Sequence, residues 1–171
     1  MLELPEQDPC EICRDMSAAD AKLRLIDDCA HTMTVINPYQ YEVGQCCVIT
    51  KRHVATLLAL SDEETAAILM AAKRVAHAML KAFEPLGILT FQNNGIYSGQ
   101  LAPHYHYHII PRQLGSNWGI GPPQLAYFEG AGRMAGSADH DLDPVERKQL
   151  AQVAPSVLYE TASKLRSCLP S

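Results

Sequence analysis

The sequence predicts an α+β domain, and three observations lead there. Five short segments rich in β-branched and apolar residues, each bounded by turn residues, follow one another in an order compatible with antiparallel pairing. One long amphipathic helix is inserted between the third and fourth segments, and a second helix start lies toward the C-terminus.

The elements follow in order. The first twenty residues read as irregular, with Cys10-Glu11-Ile12-Cys13 as their one distinctive feature. Leu23 to Ile26 and Thr32 to Ile36 read as strands joined by a turn at Asp27-Asp28-Cys29, and Asn37-Pro38 closes the second. Val43 to Thr50, around the turn residue Gly44, reads as a third. Its run Cys46-Cys47-Val48-Ile49 suggests buried thiols that pack as small hydrophobes. Ser61-Asp62-Glu63-Glu64 is a capping box, and the helix it opens runs to about Phe83 before Pro85 and Gly87. Ile68, Leu69, Ala72, Val75, Ala76, Met79 and Phe83 recur at helical spacing and form its core face, with His77 on the surface.

Ile88 to Gln92 is the fourth strand and enters the polar loop Asn93 to Gln100. Tyr105 to Ile110 is the fifth, stopped by Pro111. From Gln113 to Asp141 six Gly and two Pro mark a surface-running loop. Asp143-Pro144-Val145-Glu146 starts a last helix, which Pro155 kinks or splits. No repeat or linker divides the chain, so residues 1–171 are expected to form one domain. Its core is about 10–112, and 113–171 is a loop-rich extension with a terminal helix.

The composition narrows the class of function. The 171 residues are 47% hydrophobic and 19% charged, as in a globular protein, with a net charge of −5. No basic stripe is present, so a nucleic-acid polymer is not the expected partner, while a small anion held by backbone amides is compatible. No window reaches the roughly 18 to 20 apolar residues of a membrane span, and no signal-peptide pattern opens the chain. Six cysteines are too sparse for a disulfide scaffold, so reduced thiols and cytoplasmic residence are expected.

The chemistry concentrates in His104-Tyr105-His106-Tyr107-His108-Ile109-Ile110. In a strand, alternate side chains share a face, which groups the three imidazoles and turns both tyrosines away. His104 and His108 stand about 13 Å apart along such a strand, too far to converge on one ion with bonds of about 2 Å. The triplet therefore either gives one or two ligands to a metal or forms a line of acid–base and nucleophilic groups.

This segment resembles the His-φ-His-φ-His-φ-φ signature of the histidine triad (HIT) superfamily, where φ is apolar. Its surroundings are similar too: Lys51-Arg52-His53-Val54, Leu60-Ser61-Asp62-Glu63-Glu64, Asn93, Gly99-Gln100 and Ile110-Pro111-Arg112. The resemblance runs from about Cys10 to Arg112. It implies a five-stranded antiparallel sheet, homodimerisation, and attack by the middle histidine on the α-phosphorus of a nucleotide through a nucleotidyl-histidine. Carried onto this chain, His106 is the nucleophile, and His108 hydrogen-bonds phosphate or the departing oxygen. Asn93 with the backbone of Gly99 and Gln100 holds the non-bridging oxygens, and Asn37 contacts the nucleoside or merely makes the turn before Pro38. The substrate so implied is a dinucleoside polyphosphate, a nucleoside phosphoramidate or a similar adenylated compound. Many relatives carry Ser or Thr after Gly-Gln where this chain has Leu101, which puts leaving-group preference, and phosphoramidase activity above all, in doubt.

The Cys-x-x-Cys of Cys10 and Cys13 is open to a redox, a chance or a zinc reading. A redox pair would favour a thioredoxin-like helix start, which the sequence does not suggest. In zinc-bearing branches of the superfamily the remaining ligands match His53 and His104 here, and four protein ligands make such a zinc structural. His31 and His140 are possible substitutes. Trp118 is a candidate base-stacking residue or a packing anchor for the long loop. Two other functions compete with the hydrolase: a hydrolase with a catalytic metal on the histidines, and a nucleotide-binding regulatory module with little turnover.

Overall fold

The computed structural model describes residues 2–40, 42–113 and 152–170. The chain forms α1 (Glu11–Met16), α2 (Ala21–Arg24), β1 (Leu25–Asp28), β2 (Thr32–Ile36), β3 (Cys46–Thr50), α3 (Asp62–Phe83), β4 (Gly87–Phe91), β5 (His106–Arg112) and α4 (Pro155–Cys168). Short 3-10 turns lie at Leu57–Ala59 and Ile96–Ser98. The five strands make one antiparallel sheet, as the resemblance implies, and the structure sets their order as β1-β2-β3-β5-β4. No described helix is long and apolar enough to cross a membrane.

Why α3 starts where it does is visible in its first turn. The Ser61 hydroxyl accepts from the Glu64 amide at 3.2 Å, and Glu64 Oε2 accepts from the Ser61 amide at 2.9 Å. This reciprocal cap satisfies two N–H groups that the helix itself leaves unpaired. Glu64 also receives both arms of Arg52, at 2.8 and 2.6 Å. The cap thus ties the helix to the loop that carries His53. At the other end Glu84 takes a left-handed conformation (φ 50°) and stops the helix.

The buried face of α3 is Ile68, Ala71, Ala72, Val75, Ala78, Met79 and Ala82. Leu69, expected in the core, is 55% exposed, and three alanines take part instead. Small side chains let the helix lie close to the sheet, so the stripe follows alanine as well as the larger residues. Val48, Tyr107 and Ile109 of the sheet and Leu158, Ala162 and Leu165 of α4 complete this core. At roughly 1.5–3 kcal/mol for each fully buried large apolar side chain, it dominates the stability of the sheet. Gly44, before β3, has φ +100°, and a Cβ there would lie 2.6 Å from the Phe83 ring. Only glycine meets both demands.

Several expectations need correction. The first twenty residues are irregular except for α1, which Cys10 caps and Cys13 lies within. Leu23 and Arg24 belong to α2, so β1 begins at Leu25. Pro111 does not stop β5, which continues to Arg112. Pairing with β3 ends at Ile109, so Pro111 sits on a local edge where its missing N–H breaks no ladder. Pro155 opens the terminal helix α4 at its first turn, where the absent N–H costs nothing, and residues 152–154 before it are not helical. Most of the loop expected over 113–141, the helix start at Asp143, Trp118 and His140 lie outside the described residues.

The Arg52 contact and the bond from the Ser61 amide hold the Glu64 carboxyl down to about 2, against its usual 4.5. Its stabilising contribution is therefore complete above the unfolded-state range and is lost as pH falls through about 2. Glu64→Gln, compared with the unaltered chain by urea denaturation, should cost roughly 1–2 kcal/mol at pH 7. That difference should shrink steadily as pH is lowered from 4.5. An undiminished difference at pH 3 would show that the charge is not its source.

Candidate functional site

Cys46, Val48, Tyr107 and Ile109 belong to the core beneath α3. Cross-strand pairs then set the opposite face of the sheet: Cys47 lies against His108, and Ile49 against His106. Alternation of side chains places all four away from the helices. His104 stands two residues before β5, so the shared-face argument covers His106 and His108 only.

His104 turns instead to the N-terminal thiols. Its Nε2 lies 2.8 Å from the Thr50 carbonyl oxygen, which can only accept, so Nε2 carries the proton and Nδ1 presents a lone pair. That lone pair faces Cys13 Sγ at 3.3 Å and Cys10 Sγ at 3.9 Å, and His53 Nδ1 is 3.3 Å from Cys13 Sγ. All four donor atoms lie within 4.8 Å of one another. A tetrahedron with arms of about 2.3 Å to sulfur and 2.0–2.1 Å to nitrogen puts neighbouring S and N ligands about 3.6 Å apart. The residues present fit such a metal. His104 also makes the contact expected of a ligating histidine, its other ring N–H given to a carbonyl. His104 is fully buried, and burial lowers its imidazole below the usual range and keeps it neutral. Burial, with Cys10 beside it, raises the Cys13 thiol.

A helix does start at this Cys-x-x-Cys, contrary to the sequence reading, yet both thiols are free and each faces an imidazole. The helix puts Cys10 and Cys13 one turn apart on the side turned to the sheet. His31 takes no part in the cluster.

His106 Nδ1 lies 2.7 Å from the His104 carbonyl oxygen, an acceptor only. The proton is therefore on Nδ1, and Nε2 keeps its lone pair. Burial lowers the imidazole below its usual range, against the opposing pull of that carbonyl, and leaves it neutral. The His108 ring meets the His106 ring edge to face, 4.8 Å between centroids. Burial, then the electrostatic cost of a second positive ring beside His106, lowers His108 to about 3, so it too is neutral.

The loop over 93–100 folds on itself. Asn93 Nδ2 donates to the Gly99 carbonyl at 3.2 Å. Gly99 and Gln100 give their own amides to Ile96 and Gly95 carbonyls, at 2.9 and 3.2 Å. The Gln100 side chain is buried and braces the loop, accepting from the Gly95 amide and donating to the Ala55 and Ala102 carbonyls. Among the described residues no side-chain hydrogen bond joins Asn93, Gly99 or Gln100 to His106 or His108. Asn37 accepts from the Tyr39 amide at 3.0 Å, an Asx turn before Pro38. Its amide nitrogen also reaches Cys47 Sγ at 3.6 Å. Leu101 is 57% exposed.

Sequence reasoning missed three residues around His108. Cys47 Sγ and Gln45 Nε2 lie 3.2 and 3.4 Å from His108 Nδ1, and the Phe91 ring stacks on the imidazole at 4.5 Å. Cys47 was assigned to the core with Cys46. The available signal was strand alternation, which puts two successive cysteines on opposite faces.

A family model described as the HIT domain matches residues 8–115. The chain is 32% identical to the protein hit of Bacillus subtilis over 103 residues, 60% of this chain and 70% of that one. It is 40% identical over 80 residues to an adenosine 5'-monophosphoramidase of Schizosaccharomyces pombe, 44% of this chain and 57% of the relative. With an adenylylsulfatase of Arabidopsis thaliana the identity is 30% over 108 residues, 63% and 54% of the two chains. The fold is similar to that of a Hit-like protein from Bartonella henselae, with a TM-score of 0.66, 22% identity and 93% and 92% coverage. It is also similar to that of a Zn-bound histidine triad family protein from Mycobacterium smegmatis, with a TM-score of 0.60, 21% identity and 93% and 96% coverage.

Titration of the reduced, metal-stripped chain with cobalt(II) should develop the visible absorption of a tetrahedral thiolate site and saturate at one ion per chain. Cys13→Ser should weaken this binding about 10- to 100-fold or more. The same intensity and affinity in Cys13→Ser would remove the thiol pair from the metal site.

Proposed function

The chain belongs to the histidine triad (HIT) family, and on that premise we propose that it hydrolyses or transfers at the α-phosphorus of a nucleotide through His106. The observation that carries the reading is the hydrogen bond from His106 Nδ1 to the His104 carbonyl, which leaves Nε2 as a neutral nucleophile. Relatives named as an adenosine 5'-monophosphoramidase and an adenylylsulfatase support a nucleotide hydrolase of this kind.

In this reading Nε2 of His106 attacks phosphorus, and the bond from phosphorus to the leaving group breaks with its electron pair going to the leaving atom. His108 donates a hydrogen bond to that atom. Water then attacks phosphorus, the P–Nε2 bond breaks, and a nucleoside monophosphate departs. Asn93 offers its amide to a non-bridging oxygen, with Gly99 and Gln100 shaping the loop beside it. Asn37 meets the nucleoside.

Cys10, Cys13, His53 and His104 would hold a zinc ion. With four protein ligands it would supply cross-linking of α1 to the sheet and no chemistry on the substrate. The resemblance further supports one domain over residues 1–171, acting as a homodimer in the cytoplasm on a nucleotide and on neither nucleic-acid polymer nor membrane. A second reading, a nucleotide-binding regulatory module with little turnover, is favoured by Leu101, an exposed apolar side chain where many relatives carry a hydroxyl.

The test is turnover of diadenosine polyphosphates, adenosine 5'-phosphoramidate and adenosine 5'-phosphosulfate, with His106→Ala in parallel. Release of AMP from at least one compound should fall about a thousandfold or more in the variant. A reaction of the unaltered chain quenched in alkali, where a phosphorus–imidazole bond persists, should carry one adenylyl group on His106. Equal rates in the two proteins would sink the nucleophile assignment. Nucleotide affinity without turnover in either would favour the regulatory module.

A further inference from the structure

His108 is held by groups that do not touch the reacting atoms, and one of them is a thiol. Cys47 is its register partner on β3, with Sγ 3.2 Å from Nδ1. Phe91, its partner on β4, covers the ring face at an interplanar angle of 19°. Such stacking fixes the plane of the imidazole but leaves open which nitrogen carries the proton.

That choice follows from the far end of the hydrogen-bond chain. Asn37 Oδ1 accepts from the Tyr39 amide, and a backbone N–H can only donate. The other terminal atom of Asn37 is therefore its NH2 group, and that group points at Cys47 Sγ. The sulfur accepts there, so its own hydrogen is available to Nδ1. Burial pushes the Cys47 thiol up to about 12, which keeps that hydrogen on sulfur at neutral pH. The amide nitrogen of Gln45, on the same ring nitrogen, agrees with an accepting Nδ1.

We propose that Cys47 is a positioning residue: anchored by Asn37, it donates its thiol hydrogen to His108 Nδ1 and so holds His108 in the Nε2–H tautomer that faces the leaving group. The inference rests on the reading of His108 as donor to the departing atom. With His108 neutral, the tautomer decides its usefulness. Nε2–H can donate to the leaving atom as charge develops there, whereas a bare Nε2 would set a lone pair against it.

Long-range proton–nitrogen correlation spectra of the folded, substrate-free protein, labelled with nitrogen-15 in histidine, read the tautomer directly. His108 is expected as a single Nε2–H form in the unaltered chain and in Cys47→Ser, whose hydroxyl keeps a donor. Cys47→Ala leaves Nδ1 only the longer, 3.4 Å contact from the Gln45 amide and is expected to give a mixture. In turnover, Cys47→Ala should lose about tenfold or more on adenosine 5'-phosphoramidate, whose amine must be protonated to leave. It should change little on adenosine 5'-(p-nitrophenyl phosphate), whose phenolate leaves without a proton, and KM should stay the same for both. An unchanged tautomer in Cys47→Ala, a lost one in folded Cys47→Ser, or equal losses on the two substrates would overturn the assignment. The two readings fail separately. The tautomer is measured without substrate, so a chain that turns over neither compound sinks the hydrolase reading and leaves the spectra to decide this one.

Discussion

Three partners meet on His104, and the candidate site depends on how they share it. The Thr50 carbonyl takes the Nε2 proton, the thiols of Cys10 and Cys13 face Nδ1, and the backbone carbonyl takes the Nδ1 proton of His106. Each of these contacts restricts the next. A ring turned over at His104 would lose Thr50 and present a C–H to the thiols. A shift of its backbone would release the hydrogen bond that orients His106. The residue is fully buried, so water offers no substitute for a lost partner.

Neutrality is the second common element. His104, His106 and His108 are all lowered below the ordinary imidazole range, in each case chiefly by burial. A neutral ring has one donor and one acceptor nitrogen, so a single fixed hydrogen bond determines what the other nitrogen can do. The Thr50 and His104 carbonyls act in this way on two of the rings, and Cys47 is placed to do so on the third. β5 and the residues just before it thereby present rings with different free nitrogens. His104 turns its Nδ1 lone pair to the thiols, and His106 keeps the lone pair on Nε2.

Much of the fold was legible because its signals are local. The capping box at Ser61 and Glu64 and the apolar periodicity of α3 define that helix from sequence alone. The errors share one cause, that burial and pairing override local pattern. Leu69 has a core side chain and faces out because Ala71 and Ala78 let the helix sit closer to the sheet. Pro111 is a breaker by composition, but it occupies a place where no N–H is required.

By itself the sequence determined the α+β class, the order of strands and the long helix, and the family to which the triplet belongs. Through the resemblance it also singled out Cys10, Cys13, His53 and His104, whose donor atoms the fold brings within 4.8 Å of one another. Tertiary structure alone decided which nitrogen His104 and His106 leave free, since that depends on the Thr50 carbonyl brought in by β3 and on the turn of the His104 carbonyl toward the His106 ring. It decided as well that Cys46 is core while Cys47 faces His108. Neighbours of identical chemistry are separated only by the pleat of the strand and by what the sheet packs against on each side.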